Sequence, residues 1–205
     1  MARVFILIVL FALIVLTGCQ TQPAGNPIAF SRLTDDYWQI WTMNPDGKAA
    51  KQITTSPADK RYPVWSIGAG KIFYRTNNSD VFSVDLETGE ENRILASLGL
   101  SGGVVPSPDG SKLILVRFRT QLKDSANLWL ATLDGKDSRI LTRDPGMQYD
   151  ATWSPDGSKI AYISGHGYRT DELYIVDSDG RNSRKLTDNE AIEVLPSFSP
   201  DGKTI

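Results

Sequence analysis

One phrase returns along this chain at a nearly constant step, and any fold must accommodate that repeat before anything else. In its fullest form the phrase reads Pro-x-Trp-Ser-Pro-Asp-Gly. It stands as Pro63-Val64-Trp65-Ser66, as Pro106-Ser107-Pro108-Asp109-Gly110, as Trp153-Ser154-Pro155-Asp156-Gly157 and as Pro196-Ser197-Phe198-Ser199-Pro200-Asp201-Gly202. The serines before the turn are 41, 47 and 45 residues apart. A second marker, a turn glycine at Gly47, Gly89, Gly135 and Gly180, keeps steps of 42, 46 and 45. Two independent markers with one period define a repeating structural unit.

The phrase has a mechanism. Serine can bond the backbone, proline presets the second torsion, aspartate suits the third position and glycine the fourth, so the chain reverses tightly. After each turn comes a short apolar run (Lys71 to Tyr74, Lys112 to Val116, Lys159 to Ile163), then a variable polar loop, then another run (Val81 to Val84, Leu128 to Leu130, Leu173 to Val176). Runs such as Leu113-Ile114-Leu115-Val116 are apolar on both faces, as expected of sheets covered on both sides. Helical windows are nearly absent after the first twenty residues. One unit thus offers four short strands, around Ala151 to Trp153, Lys159 to Ser164, Glu172 to Asp177 and Arg184 to Thr187. Four strands in about 40 to 45 residues is the size of one propeller blade. Leucine-rich, ankyrin and tetratricopeptide arrays fail on period or helix content, and a sandwich of unrelated strands has no reason to repeat. The fold class read from the sequence is therefore all-β, a β-propeller of four-stranded blades over residues 28–205.

The stretch from Leu173 through Asp179-Gly180, Arg184-Lys185-Leu186-Thr187, Glu193, Pro196 and Phe198 to Gly202 resembles the repeat of TolB-type propellers. Similar blades precede the catalytic domain of prolyl-oligopeptidase-family enzymes. The resemblance covers Ile28 to Ile205. Ile67-Gly68 departs from it by replacing the Pro-Asp of the first turn, and Ser107 does not follow an aromatic residue. The resemblance implies a propeller of six blades working in the cell envelope, often in protein contacts.

The N-terminus carries its own signal. Arg3 precedes thirteen consecutive apolar residues, Val4 to Leu16, and then Thr17-Gly18 before Cys19. A membrane-spanning helix needs about 20 apolar residues, so the run fits the apolar region of a cleavable leader better than a retained anchor. Leu16-Thr17-Gly18-Cys19 also resembles the bacterial lipobox. That resemblance implies cleavage before Cys19, a lipid on its thiol, and, with Gln20 following, sorting to the outer membrane if the source has two membranes. An ordinary leader with an incidental cysteine is the alternative. The expected organisation is a signal peptide at 1–18, a lipidated tether at 19–27 and the propeller at 28–205, with more than one acyl chain needed for stable anchoring.

Cys19 is the single cysteine, which excludes an intrachain disulfide and cysteine-rich zinc sites. Lysine and arginine number 22 against 24 acidic residues, so nothing points to nucleic acid. Gly99-Leu100-Ser101-Gly102-Gly103 spells Gly-x-Ser-x-Gly, but a nucleophile elbow needs a helix after the serine, and Val104-Val105-Pro106-Ser107-Pro108 leads from a strand into a turn. His166, the only histidine, lies between Gly165 and Gly167 without partners nearby in sequence. Asp177-Ser178-Asp179-Gly180 misses the calcium-loop spacing, its glycine falling too early. No catalytic residue, metal or cofactor is therefore assigned.

Arginines recur where the loop after the second strand of each unit begins: Arg32, Arg75, Arg117 with Arg119, and Arg169. A rim of guanidiniums, with Arg32, Arg75, Arg119 and Arg169 as its members, suits an acidic partner segment. Pairing with Asp35, Asp80, Asp124 and Asp171 in the same loops is the plainer reading. The functional expectation is an envelope lipoprotein whose propeller binds a protein. Two other readings stay open: the non-catalytic propeller of a larger exported peptidase or hydrolase, and cell-wall polymer binding through Tyr37, Trp38 and Trp41. Lys203-Thr204-Ile205 aligns with Lys159-Ile160-Ala161, so the chain is expected to stop three residues into a strand. About four blades of a six-bladed ring would then be present, with open blade edges prone to self-association.

Overall fold

The computed structural model describes residues 27–95, 100–118, 125–134, 136–143, 146–165 and 171–205. Residues 1–26, on which the expected leader and Cys19 fall, and also Gly99, Arg119, Gly135, His166 and Arg169, lie outside the described residues. Fifteen strands follow one another with a single 3-10 turn, Ile67–Ala69, among the described residues. They group by the repeat. Blade 1 has β1 (Ile28–Thr34), β2 (Tyr37–Met43) and β3 (Lys51–Gln52). Blade 2 has β4 (Lys60–Ser66), β5 (Lys71–Thr76), β6 (Val81–Asp85) and β7 (Glu91–Leu95). Blade 3 has β8 (Leu100–Pro106), β9 (Lys112–Phe118), β10 (Ala126–Thr132) and β11 (Ser138–Ile140). Blade 4 has β12 (Met147–Trp153), β13 (Lys159–Gly165), β14 (Glu172–Asp177) and β15 (Arg184–Lys185). Within each blade, successive strands pair antiparallel, and a single parallel bridge, Ala126 to Met147, links blades 3 and 4. This is the expected all-β propeller architecture, with four strands in blades 2, 3 and 4 and three among the described residues of blade 1.

The apolar runs explain why blades stack. Leu113, Ile114, Leu115 and Val116 of β9 are all buried. Their alternate faces enter different cores: Leu113 and Leu115 join Phe73 and Val81 of blade 2, while Ile114 and Val116 join Trp153, Ile160 and Tyr162 of blade 4. A third cluster holds Ile40 of blade 1 against Ile72, Tyr74 and Val84 of blade 2. The core thus consists of layers between successive blades, which is why each unit needs a neighbour.

The turns form as their sequence dictates. Ser107 Oγ donates to Asp109 Oδ1 (2.5 Å) and accepts from Lys112 N (2.9 Å); Ser154 repeats this with Asp156 (2.6 Å) and Lys159 (2.9 Å). In the fourth phrase, Ser199 bonds Asp201 (2.6 Å) and Thr204 N (3.1 Å). That last bond corrects the expected alignment by one residue. Lys203 takes the place of Ser158, Thr204 that of Lys159, and Ile205 that of Ile160 and, through the β4–β5 register, of Ile72. In the first turn, Ile67-Gly68-Ala69 closes as the 3-10 turn instead.

Innermost strands carry a further repeated feature. Register shifts fall between Arg61 and Val64, between Tyr149 and Thr152, and between Leu100 and Val104. Tyr62 and Asp150 sit inside the shifts at φ 57° and 48°, and Leu195 occupies the same place in the fourth phrase at φ 52°. Each is three residues before Trp65, Trp153 or Phe198. In blade 3 the shift spans Ser101-Gly102-Gly103, so the Gly-x-Ser-x-Gly serine lies within a bulged strand with no helix after it.

Candidate functional site

Antiparallel succession divides the connections of every blade between two ends. The turns after the first and third strands share one end; the loops after the second strand and the crossovers to the next blade share the other. The first end is occupied by turn-to-turn packing. A Cβ on Gly68 would lie 2.5 Å from the backbone of Asp109, and one on Gly110, at φ +70°, would lie 2.4 Å from Ala69 N. Such approach requires glycine.

The second end carries the polar groups. Three threonines, Thr54, Thr142 and Thr187, repeat one arrangement. Their hydroxyls accept the backbone N–H of Ile40 (2.9 Å), Leu128 (3.0 Å) and Leu173 (3.0 Å), which lie in β2, β10 and β14. Each then donates to a side-chain oxygen: Gln39 Oε1 (2.8 Å), Gln148 Oε1 (3.1 Å) and Glu172 Oε2 (2.6 Å). Sequence reasoning missed these residues. The available signal was the apolar-Thr pair Ile53-Thr54, Leu141-Thr142 and Leu186-Thr187, which keeps the period of the repeat.

The neighbouring position, five residues before Trp65, Trp153 or Phe198, holds Lys60, Gln148 and Glu193. Lys60 is 1% exposed, and its ammonium donates to Gln39 Oε1 (3.0 Å), Ser56 O (2.6 Å) and Ala58 O (3.0 Å). Burial pushes its pKa below the ordinary lysine value, against the opposing pull of Glu91 and Asp59. Gln148 accepts from Asn127 Nδ2 of the preceding blade (2.6 Å). Glu172 is held below the usual carboxylate range, first by the Thr187 hydroxyl and further by Asn189 N (3.1 Å) and Lys185. The Lys60 bonds tie blade 2 to blade 1, and the Gln148 bonds tie blade 4 to blade 3.

One cavity of about 490 Å³ opens at this end, lined by Arg61, Tyr62, Arg75, Thr76, Asn77 and Ser79. Arg61 stacks over Trp38 of blade 1 at 4.2 Å, and Asp59 accepts from Trp38 N (2.9 Å) and Asn77 Nδ2 (2.8 Å). Trp38 N, followed by Asn77, holds Asp59 below its ordinary pKa. Two guanidiniums and an outward Tyr62 ring, 71% exposed, give the cavity a cationic and aromatic wall. Such a wall suits a carboxylate flanked by apolar groups.

Arg32, Arg75 and Arg117 lie within β1, β5 and β9 rather than at loop starts. The hairpin registers make Arg32 equivalent to Arg117 and to Thr76, with Arg75 one residue earlier on the other face. Arg32 stacks on Trp41 (4.9 Å) and Arg117 on Trp129 (4.6 Å), so the two equivalent arginines share one cation–π arrangement. Trp41 also donates from Nε1 to Thr34 Oγ1 (3.1 Å), so its ring packs within blade 1 while Tyr37 stays exposed. No group of three or more His, Cys, Asp or Glu side chains able to hold a metal occurs among the described residues.

No protein-family model matches the chain. It is similar to the Tol-Pal system protein TolB of Anaeromyxobacter dehalogenans (strain 2CP-C), at 28% identity over 129 residues, 62% of this chain and 29% of that protein. Among solved structures it superposes on TolB from Acinetobacter baumannii with a TM-score of 0.68 and 23% identity, covering 86% of this chain and 45% of the other. It also superposes on an oligogalacturonate lyase in complex with manganese, with a TM-score of 0.61 and 21% identity over 78% of this chain and 48% of the other. The chain spans about half the length, or less, of these relatives. At such identities the structures define the fold, and a Tol-Pal system protein and a lyase share it.

Proposed function

We propose that the chain is a lipid-anchored module of a bacterial cell envelope that captures a protein partner through the loop end of its blades. The observation that carries this reading is the cavity lined by Arg61, Tyr62 and Arg75, which has a cationic and aromatic wall. Likeness to TolB, a component of a system named for Tol and Pal, supports a protein as the partner. Arg75 lines the cavity, and in this reading Arg32, Arg119 and Arg169, the other arginines of the expected rim, add to its cationic character. An acidic partner segment with apolar flanks is the complementary ligand. Cys19 carries the lipid, and residues 20–27, with two prolines and a glycine, separate the anchor from the blades.

The test joins anchoring to capture. Cys19→Ser, expressed in the native host, abolishes incorporation of labelled fatty acid, while the wild type incorporates it. Pull-down from detergent-solubilised membranes by the wild type recovers a partner that Arg75→Glu with Arg169→Glu recovers poorly. Unchanged labelling refutes the anchor, and equal capture by the reversed variant refutes the rim. Recovery of cell-wall polymer in place of protein transfers the site to a polymer ligand.

A further inference from the structure

The repeat itself implies what should stand where Arg61 and Arg75 stand, and it is not a pair of arginines. Lys60 opposite Thr76 and Arg61 opposite Arg75 in blade 2 correspond to Gln148 opposite Ser164 and Tyr149 opposite Ile163 in blade 4. In blade 3 the residue at the Arg75 position is Val116. Val116 and Ile163 are buried. Of these three blades, only blade 2 puts a guanidinium at that position, and it places a second one directly across the strand pair.

Like charges directly opposite on paired strands oppose folding, because cross-strand partners stand only about 5 Å apart at Cβ. Packing between blades does not call for a cation at the Arg75 position, which aliphatic side chains fill elsewhere. Both guanidiniums line the same cavity, with Thr76, Asn77 and Ser79 as neutral hydrogen-bonding neighbours. Repulsion between two cations that line one cavity is relieved by an anion between them.

The neighbouring charges decide what kind of anion. Asp59 accepts from Trp38 N (2.9 Å) on one oxygen and from Asn77 Nδ2 (2.8 Å) on the other, which favours its ionised form, and the Arg61 charge acts on it through space. Asp80 is offset by Arg93 at 3.6 Å, and the buried Lys60 by Glu91. Two guanidiniums against the Asp59 carboxylate leave one net positive charge among these groups, which a monoanion neutralises and a dianion overshoots. The shape of the donors agrees. The guanidinium carbon of Arg61 lies over the Trp38 ring at 4.2 Å, which limits where the group can move, and a planar guanidinium fork fits a carboxylate through two parallel hydrogen bonds.

We propose that Arg61 and Arg75 together clamp one carboxylate of the partner segment, a single binding group contributed by both strands of the β4–β5 pair. The inference rests on the cavity being the capture site and names the group captured there. Thr76, Asn77 and Ser79 then border the atoms next to the carboxylate, and Tyr62 borders an apolar neighbour.

The test uses the full chain and 3-phenylpropionate, a carboxylate with an apolar flank. At constant ionic strength this probe raises the thermal unfolding midpoint with its concentration, as a ligand of the folded state does, and isothermal titration gives its dissociation constant. The neutral 3-phenylpropionamide has no effect. Arg61→Gln and Arg75→Gln each weaken the probe at least about tenfold, and the double variant is little weaker than either, because two groups that hold one carboxylate fail together. Losses that multiply in the double variant assign the arginines to separate contacts and overturn the clamp. So do an amide as effective as the carboxylate, phenyl phosphate bound more tightly than the carboxylate, and single variants that fold by circular dichroism and bind the probe as the wild type does. Should a glutamine variant not fold, Arg61→Lys and Arg75→Lys take its place: they keep the charge and lose the fork, so retained affinity overturns the clamp. A pull-down that recovers no protein refutes the capture reading and leaves the probe response standing, whereas protein capture by a wild type that ignores the probe overturns the clamp alone.

Discussion

Thr142 offers the sharpest separation of hydrogen bonding from packing in this fold. Its side chain is buried, its Oγ1 accepts from Leu128 N at 3.0 Å, and its hydroxyl donates to Gln148 Oε1 at 3.1 Å. Thr142→Val keeps the volume and removes both bonds. Gln148 Oε1 retains Asn127 Nδ2, but Leu128 N–H is left in the core without its acceptor. A buried unsatisfied donor costs about 1 to 3 kcal/mol, and the lost side-chain bond about 1 kcal/mol more. Thr142→Val should therefore destabilise by about 2 to 4 kcal/mol. Thr142→Ser keeps the hydroxyl and loses one methyl, a cost of about 1 kcal/mol. Urea unfolding followed by tryptophan fluorescence gives both values from the shift in midpoint at constant slope. If valine lies within about 0.5 kcal/mol of the wild type, or serine is the more damaging change, the threonine ladder is packing and the reasoning here fails.

Gly110→Ala forces a Cβ to 2.4 Å from Ala69 N at a φ of +70°, and should cost about 2 to 4 kcal/mol, whereas Gly47→Ala, at φ +78° with nothing within 4 Å, should cost only about 1 kcal/mol; equal thermal-midpoint losses would show that turn-to-turn contact contributes nothing. Acid should unfold the chain through its turns: the Ser107 and Ser154 hydroxyls, followed by the backbone N–H of Ser111 and Ser158, hold Asp109 and Asp156 at about 2, below the unfolded carboxylate value. Their stabilisation is therefore complete above about pH 4 and lost as pH falls towards 2, and Ser154→Ala should flatten the stability-versus-pH slope in that window, an unchanged slope assigning acid lability elsewhere.

The period, the turn chemistry and the two-faced strands were legible because each is local. A serine, a proline, an aspartate and a glycine set their own turn wherever they stand, and Leu113 to Val116 declare burial on both faces without reference to a partner. Equivalence between blades was less legible, because it is decided by cross-strand register. Arg75 looks like the counterpart of Arg32 by its place in an apolar run, yet the hairpins pair Arg32 with Gln39 and Arg117 with Asn127, and put Thr76 rather than Arg75 in their row. The one-residue error at Lys203 has the same origin, since only the Ser199 Oγ bond to Thr204 reveals which residue opens the strand. The buried polar seam was invisible for a different reason: Lys60, Gln148 and Glu193 share no chemistry, so no motif marks their common position.

That lack of shared chemistry follows from what each side chain faces. Lys60 meets three oxygens, from Gln39, Ser56 and Ala58, and only a side chain with several donors satisfies them. Gln148 meets a donor on Asn127 and a hydroxyl on Thr142, and an amide oxygen accepts from both. Glu193 meets a donor on Asn189 with one oxygen and has no hydrogen-bond partner for the other. The first two positions are closed by their own preceding blade, and their residue type is explained within one chain. The third follows the same rule with its Asn189 donor, which only an oxygen acceptor satisfies. The residue type at this position is therefore set by what the preceding blade presents to it, donors calling for an oxygen and oxygens for an ammonium, and no single motif can mark the seam.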